Sequence, residues 1–193
     1  MSELRLFVAL DPAAPARAAL AAQREEVLGG RSELRLPPAE TLHLTLVFLG
    51  HRPAGDLATI EDAALEAVAD LPRARLRAGE VVPVPRGRPR LLALDLLDPA
   101  GEAAEIASAV GRALEPGGLH QPERRAFWPH MTLARIRSAG RRAGRSAGDL
   151  GLRTGLGLAE DEDLVFDRVA IYRSQLSPAG ARYEALAHVE LGT

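Results

Sequence analysis

A tetrapeptide that occurs twice constrains this chain more than any other feature: His-Leu-Thr-Leu at 43–46 and His-Met-Thr-Leu at 130–133, 87 positions apart. Each stands in a strand-like apolar run, "LHLTLVFLG" and "HMTLARI". Side chains alternate between the two faces of a strand. His43 and Thr45 therefore share one face, with Leu44, Leu46 and Phe48 on the other. His130 and Thr132 repeat the arrangement against Met131 and Leu133. The leucine face is a core face, so the His/Thr face must border water or a cleft. The fold has to bury one side of each strand and leave the other open.

The remaining pattern supplies such a fold. "LRLFVAL" (4–10) alternates as a strand, with Leu4, Leu6, Val8 and Leu10 on one face and Arg5 and Phe7 on the other. Asp11 and Pro12 open an Ala-rich helix that runs to Gly29-Gly30. "SELRLPP" (32–38) reads as a short strand ended by prolines. A helix over 56–71 carries Leu57, Ile60, Ala64, Leu65 and Val68 as its apolar stripe, with Asp56 at the N-cap. Strands around 74–84 and 90–97 are joined by the turn sequence "PVPRGRP". A third helix covers 99–114, residues 138–162 form a Gly/Arg/Ala-rich loop, and "LVFDRVAIYRS" and "ARYEALAHVEL" close the chain as two strands. The order βαββαββαβ(loop)ββ sets strands beside strands. That favours antiparallel pairing and an α+β class over a parallel wound sheet. Each His-x-Thr strand follows a helix in its half, which suggests two similar lobes in one domain spanning 1–193.

Composition excludes several chemistries. There is no cysteine, hence no disulfide framework, thiol nucleophile or cysteine-ligated zinc. No window approaches the roughly 20 apolar residues of a membrane helix, and "MSELRLFVAL" lacks a signal-peptide pattern. The expected protein is a cytoplasmic monomer with no membrane contact. Net charge is −2, so the overall field does not point to nucleic acid. All 24 basic residues are arginine, a side chain that grips phosphate in bidentate fashion. Arg135, Arg137, Arg141, Arg142 and Arg145 form one local cluster, read either as a solvated loop face or as a guide for an RNA backbone.

Two imidazoles and two hydroxyls converging on a cleft suit in-line displacement at phosphorus. Nucleophile and leaving group lie on opposite sides of the reacting atom, so a base and an acid are needed there, and histidine can serve as either near neutral pH. The hydroxyls of Thr45 and Thr132 can donate to the non-bridging oxygens, where charge accumulates. No Asp, Glu or Cys stands at ligand-like spacing beside either histidine, so no metal is expected. His51, His120 and His188 lack comparable context and are read as surface or loop residues.

The stretches "HLTLVFLG" and "FWPHMTLAR", with "RLFVAL" before them and "IYRSQLSPAGARYEAL" after, resemble the 2H phosphoesterases, specifically the RNA 2′,3′-cyclic phosphodiesterase or 2′-5′ RNA ligase-like branch. The resemblance covers nearly the whole chain. It implies a bilobal α+β fold with two antiparallel sheets in pseudo-twofold related lobes around a central cleft, helices on the outside. It also implies hydrolysis of a 2′,3′-cyclic phosphate to a 2′-phosphate without metal or cofactor, with RNA ends or small cyclic nucleotides as substrate. By analogy His43 is the general acid and His130 the general base, although chemical symmetry permits the exchange. Arg135 matches the arginine that ends the second motif and would hold phosphate. Its offset of five from His130 is odd, so a regular strand would point it away. Either the strand twists or bulges there, or Arg135 anchors the neighbouring loop. Candidates for base stacking are Phe7, Phe48, Trp128 and Tyr183. Phe48 lies on the leucine face and is expected in the core, Trp128 lines an entrance or fills a lobe interface, and Tyr183 stacks or packs across strands. Ligation to a 2′-5′ bond, a different cyclic phosphate, and a non-catalytic RNA-binding module are the alternatives.

Overall fold

The computed structural model describes residues 2–121, 125–137, 156–159, 162–177 and 180–192. Among them, eight strands and three helices follow the expected order: β1 (Glu3–Pro12), α1 (Ala14–Leu28), β2 (Leu34–Arg35), β3 (Leu44–Pro53), α2 (Leu57–Glu66), β4 (Ala74–Val84), β5 (Leu91–Leu97), α3 (Glu102–Leu114), β6 (His130–Ile136), β7 (Leu164–Ser177) and β8 (Gly180–Glu190). Pro37 and Pro38 hold β2 to two residues, because proline offers no ladder N–H. A 3-10 turn at Ala39–Thr41 follows and delivers the chain to β3. α2 is shorter than its pattern. Asp56 occupies the N-cap position but makes no side-chain capping bond. Most of the expected 138–162 loop lies outside the described residues.

Hydrogen bonds join all the strands in one sheet, in the order β1-β3-β6-β5-β4-β7-β8, with β2 on β6 and β1 also paired to β7. The two expected sheets are thus continuous. Long ladders run within β3-β1-β7-β8 and within β4-β5-β6. The two sets meet at short seams, a single pair Leu44↔Met131 and the stretch Ala74–Leu76 against Leu164–Phe166.

The main core takes Leu6, Val8 and Leu10 from β1 and Leu20, Ile60 and Ile106 from the three helices. The opposite face of β1 is covered too, by a separate small cluster of Phe7, Ala9, Ala170 and Tyr172 with Tyr183 packed on it. A strand buried on both faces loses the freedom to slip in register. β1 is thereby a fixed rail beside β3.

Candidate active site

β3 and β6 run antiparallel past Leu44↔Met131, whose side chains are fully buried. The flanking residues lie on the other face of the sheet, and the antiparallel sense turns His43 towards Thr132 and Thr45 towards His130. Opposed side chains in such a ladder begin about 4.5–5.5 Å apart. The two motifs therefore meet on neighbouring strands. His43, Thr132, Arg135, Arg35 and Tyr183 line one pocket. Thr45, His130, Phe48, Phe127 and Trp128 line the groove on the other side of the seam.

Each imidazole is anchored in the same way. His43 Nδ1 donates to the carbonyl of Thr41 at 2.7 Å, and His130 Nδ1 donates to the carbonyl of Trp128 at 2.8 Å. A carbonyl can only accept, so both Nδ1 atoms carry the proton and the neutral rings keep an Nε2 lone pair. For His43 the accepting carbonyl is itself held. Thr41 Oγ1 donates to Pro38 O, and arginines from α1 donate to the same segment: Arg24 to Pro37 O, Arg17 to Glu40 O and Leu42 O.

Matched β-bulges complete the face. Along β1–β3 the register passes from Ala9↔Thr45 to Val8↔Val47, leaving Leu46 as the extra residue. Along β5–β6 it passes from Ala93↔Thr132 to Leu92↔Ala134, leaving Leu133 extra. A bulge inserts one residue and reverses the alternation beyond it. Two expectations change. Arg135 returns to the His/Thr face and lines the pocket with His43, which removes the objection from strand parity. Phe48, expected in the core, is instead 58% exposed and lines the groove with His130.

Beneath His43 lies a polar network of residues distant in sequence. Asp11 is buried; its Oδ2 accepts from Tyr172 Oη at 2.7 Å and from Arg168 Nη2 and Nε at 2.7 and 3.0 Å. Burial, then the Asp11 charge, pushes the Tyr172 hydroxyl up to about 12, so it stays a donor. Phe7 is only 3% exposed, with its ring 5.0 Å from that of His43, so it supports the imidazole from below and offers no platform to a base. Tyr183 stands edge-on to His43 at 5.3 Å. This enclosure lowers the His43 pKa, chiefly by desolvation; the Thr41 hydrogen bond and the Asp11 charge oppose it, and charge on His130 adds to it.

Trp128 neither fills an interface nor leaves both faces of its ring open, because it stacks on His130 with centroids 4.2 Å apart. His51 and His188 are exposed on strands, whereas His120 is half-buried against Gly111 and lines the groove. Arg141, Arg142 and Arg145 lie outside the described residues. Sequence reasoning missed Asp11, Tyr172, Asp95 and Arg35. Asp95 carried a signal, as the one charge inside "LLALDLL". Among the described residues no group of three or more His, Cys, Asp or Glu is placed to hold a metal ion, and no helix is long and apolar enough to cross a membrane.

An antiparallel α+β fold that sets two His-x-Thr strands side by side is the arrangement expected of the 2H class of phosphoesterases. The model of the 2′-5′ RNA ligase superfamily matches residues 11–143, and the chain belongs to that superfamily of 2H phosphoesterases. An RNA 2′,3′-cyclic phosphodiesterase from Aeropyrum pernix is 32% identical over 120 residues, 62% of this chain and 67% of that protein. The crystal structure of TT0787 of Thermus thermophilus superposes with a TM-score of 0.72 at 28% identity, covering 97% of this chain and 98% of that one. Escherichia coli LigT, in its complex with 3′-AMP, gives a TM-score of 0.74 over the full length of both chains; at 22% identity this is a likeness of fold.

Proposed function

We propose that the chain hydrolyses the 2′,3′-cyclic phosphate of RNA ends or small cyclic nucleotides to a 2′-phosphate, without a metal, using His43 and His130 as its acid–base pair. The observation that carries this reading is the Leu44↔Met131 crossing, beside which lie two imidazoles anchored alike through Nδ1. Catalysis of this type needs one ring neutral and one protonated. Burial and the positive charge of its partner both disfavour protonated His43, so the pair holds one proton more readily than two. Thr45, Thr132 and Arg135 supply donors for the phosphoryl oxygens, with Arg135 the permanent charge. Phe48 is the side chain placed to stack a base, and Tyr183 narrows the pocket entrance. Acid, base and arginine all belong to one chain, so a monomer suffices.

The resemblance makes His43 the acid and His130 the base. One observation favours the exchange: His43 is the imidazole that burial holds neutral, and a neutral imidazole is the base. A substrate with a sulfur leaving group separates the two, because a thiolate departs without a proton. The variant lacking the acid recovers with that substrate, and the variant lacking the base does not. Ligation opens the same ring with a 5′-hydroxyl in place of water, forming a P–O5′ bond as the P–O3′ bond breaks, and it dominates only where water is excluded. The reading itself is tested with 2′,3′-cyclic AMP in EDTA. Release of the 2′-phosphate by the wild type, lost in both His43→Ala and His130→Ala, supports it. Turnover that survives either substitution, or that requires added metal, overturns it. A binding module would retain RNA affinity in these variants with no turnover to lose.

A further inference from the structure

His130 has a support that His43 lacks. The Trp128 indole lies almost parallel to its imidazole, 12° between planes, with centroids 4.2 Å apart. The same residue accepts the Nδ1 proton of His130 through its backbone carbonyl. Its indole Nε1 in turn donates to Asp95 Oδ1 at 2.7 Å. Asp95 pairs directly with His130 across β5–β6, where a carboxylate could have taken the Nδ1 proton for itself. Instead its hydrogen bond goes to the indole.

The seat of Asp95 is equally defined. Opposite it β4 bulges, the register passing from Ala78↔Leu96 to Val81↔Leu94. Gly79 in that bulge comes so close that a Cβ there would lie 3.0 Å from Asp95 O and 3.4 Å from Asp95 Oδ2. Pro129, between the tryptophan and the histidine, is tied to the same strand by Leu96 N donating to its carbonyl at 3.0 Å. Gly79, Asp95, Trp128 and His130 form one line of contact across three strands. The hydrogen bond at Nδ1 fixes rotation about the Cβ–Cγ bond, and the stacked indole stops the ring tilting. Together they aim Nε2 at the cleft.

We propose that Trp128 is a positioning residue for His130, not a surface on which substrate stacks, and that Asp95, seated against Gly79, holds the indole in place. The kinetic side of this inference rests on the acid–base reading above; the spectroscopic side does not. A misplacement of about 1 Å in a reacting group can cost on the order of 100-fold in rate. Trp128→Ala and Asp95→Ala are therefore expected to lower kcat about ten- to hundred-fold with KM changed less than about two-fold. Asp95→Asn keeps an acceptor for the indole N–H and should stay within about three-fold of wild type. Trp128→Phe keeps a ring but loses the N–H, so it should match Asp95→Ala, and the double variant should be no worse than either single one.

Imidazole 15N NMR, with the His130 signals assigned by their loss in His130→Ala, reads the geometry without any turnover. The His130 Nδ1–H signal should be sharp and slow to exchange with solvent in the wild type and in Asp95→Asn, and broadened or lost to exchange in Trp128→Ala and Asp95→Ala, where the ring can tilt off the residue-128 carbonyl that every variant keeps. A wild-type Nδ1–H signal preserved in Trp128→Ala would overturn the proposal. So would a raised KM with unchanged kcat in Trp128→Ala while Asp95→Ala is silent, which is the pattern of a substrate platform. Absence of turnover in the wild type, with the change in the Nδ1–H signal present in the variants, would count against the acid–base reading and leave the positioning role standing.

Discussion

Leu46 and Leu133 each leave the ladder one residue after a threonine, and five residues beyond each histidine stands a different side chain, Phe48 on β3 and Arg135 on β6. The backbones of the two motifs are alike through the histidine anchor, the threonine and the bulge. Their surroundings are not. His43 is enclosed by Phe7, Tyr172 and Tyr183 with a buried carboxylate behind. His130 rests on one indole at the edge of an open groove. What the proposed reaction needs in duplicate is set by the backbone. What it needs once, a permanent cation on one side and an aromatic face on the other, is set by the residue at the bulge exit.

The comparison breaks first at the histidines. If both motifs act in one step, His43→Ala and His130→Ala each lower kcat on a 2′,3′-cyclic nucleotide by about 100- to 10,000-fold, and the double variant falls little further. Multiplying losses would mean that the strands act independently. The bulge exits come next. Arg135→Ala is expected to reduce kcat/KM about ten- to hundred-fold whatever the base. Phe48→Ala should weaken binding about five- to fifty-fold, in the range of one lost base stack, and its effect should vary with the base in a series of cyclic nucleotides. The same base dependence in both variants would deny the division of labour.

The smallest effect concerns stability. Burial holds His43 below its ordinary value of 6.5 in the folded chain, so between that lowered value and 6.5 the unfolded chain binds the extra proton. Stability therefore rises with pH through this window: the contribution is complete above about 6.5 and is lost as pH falls below it. Thermal unfolding followed from pH 7.5 to 5 should show a steeper decline for the wild type than for His43→Gln. Parallel declines would mean that the enclosure of His43 has no energetic weight.

Much of this was legible in the residues. Alternation alone placed His43, Thr45, His130 and Thr132 on cleft faces, and strands next to strands gave antiparallel pairing. The faces of Phe48 and Arg135 were not legible by counting, because a bulge is a property of two strands. Leu46 is extra only against β1, and Leu133 only against β5. Asp11 was misjudged for another reason. Locally, Asp-Pro is a helix-start signal, while its actual partners, Arg168 and Tyr172, stand 157 and 161 residues away. A contact at that separation leaves no periodicity to read.

The bulges have a consequence for how such strands tolerate change. A regular six-residue strand shows its cleft every second position, and adding a third cleft residue there means committing the core to the positions between. Here the phase slips after the threonine, so the pattern of cleft residues runs 0, 2, 5 and the core receives two neighbours in succession, Leu46 with Val47 and Leu133 with Ala134. The last cleft position is thereby uncoupled from the packing that fixes the first two. Substitutions at 48 and 135 can retune what the site grips without disturbing where its histidines stand.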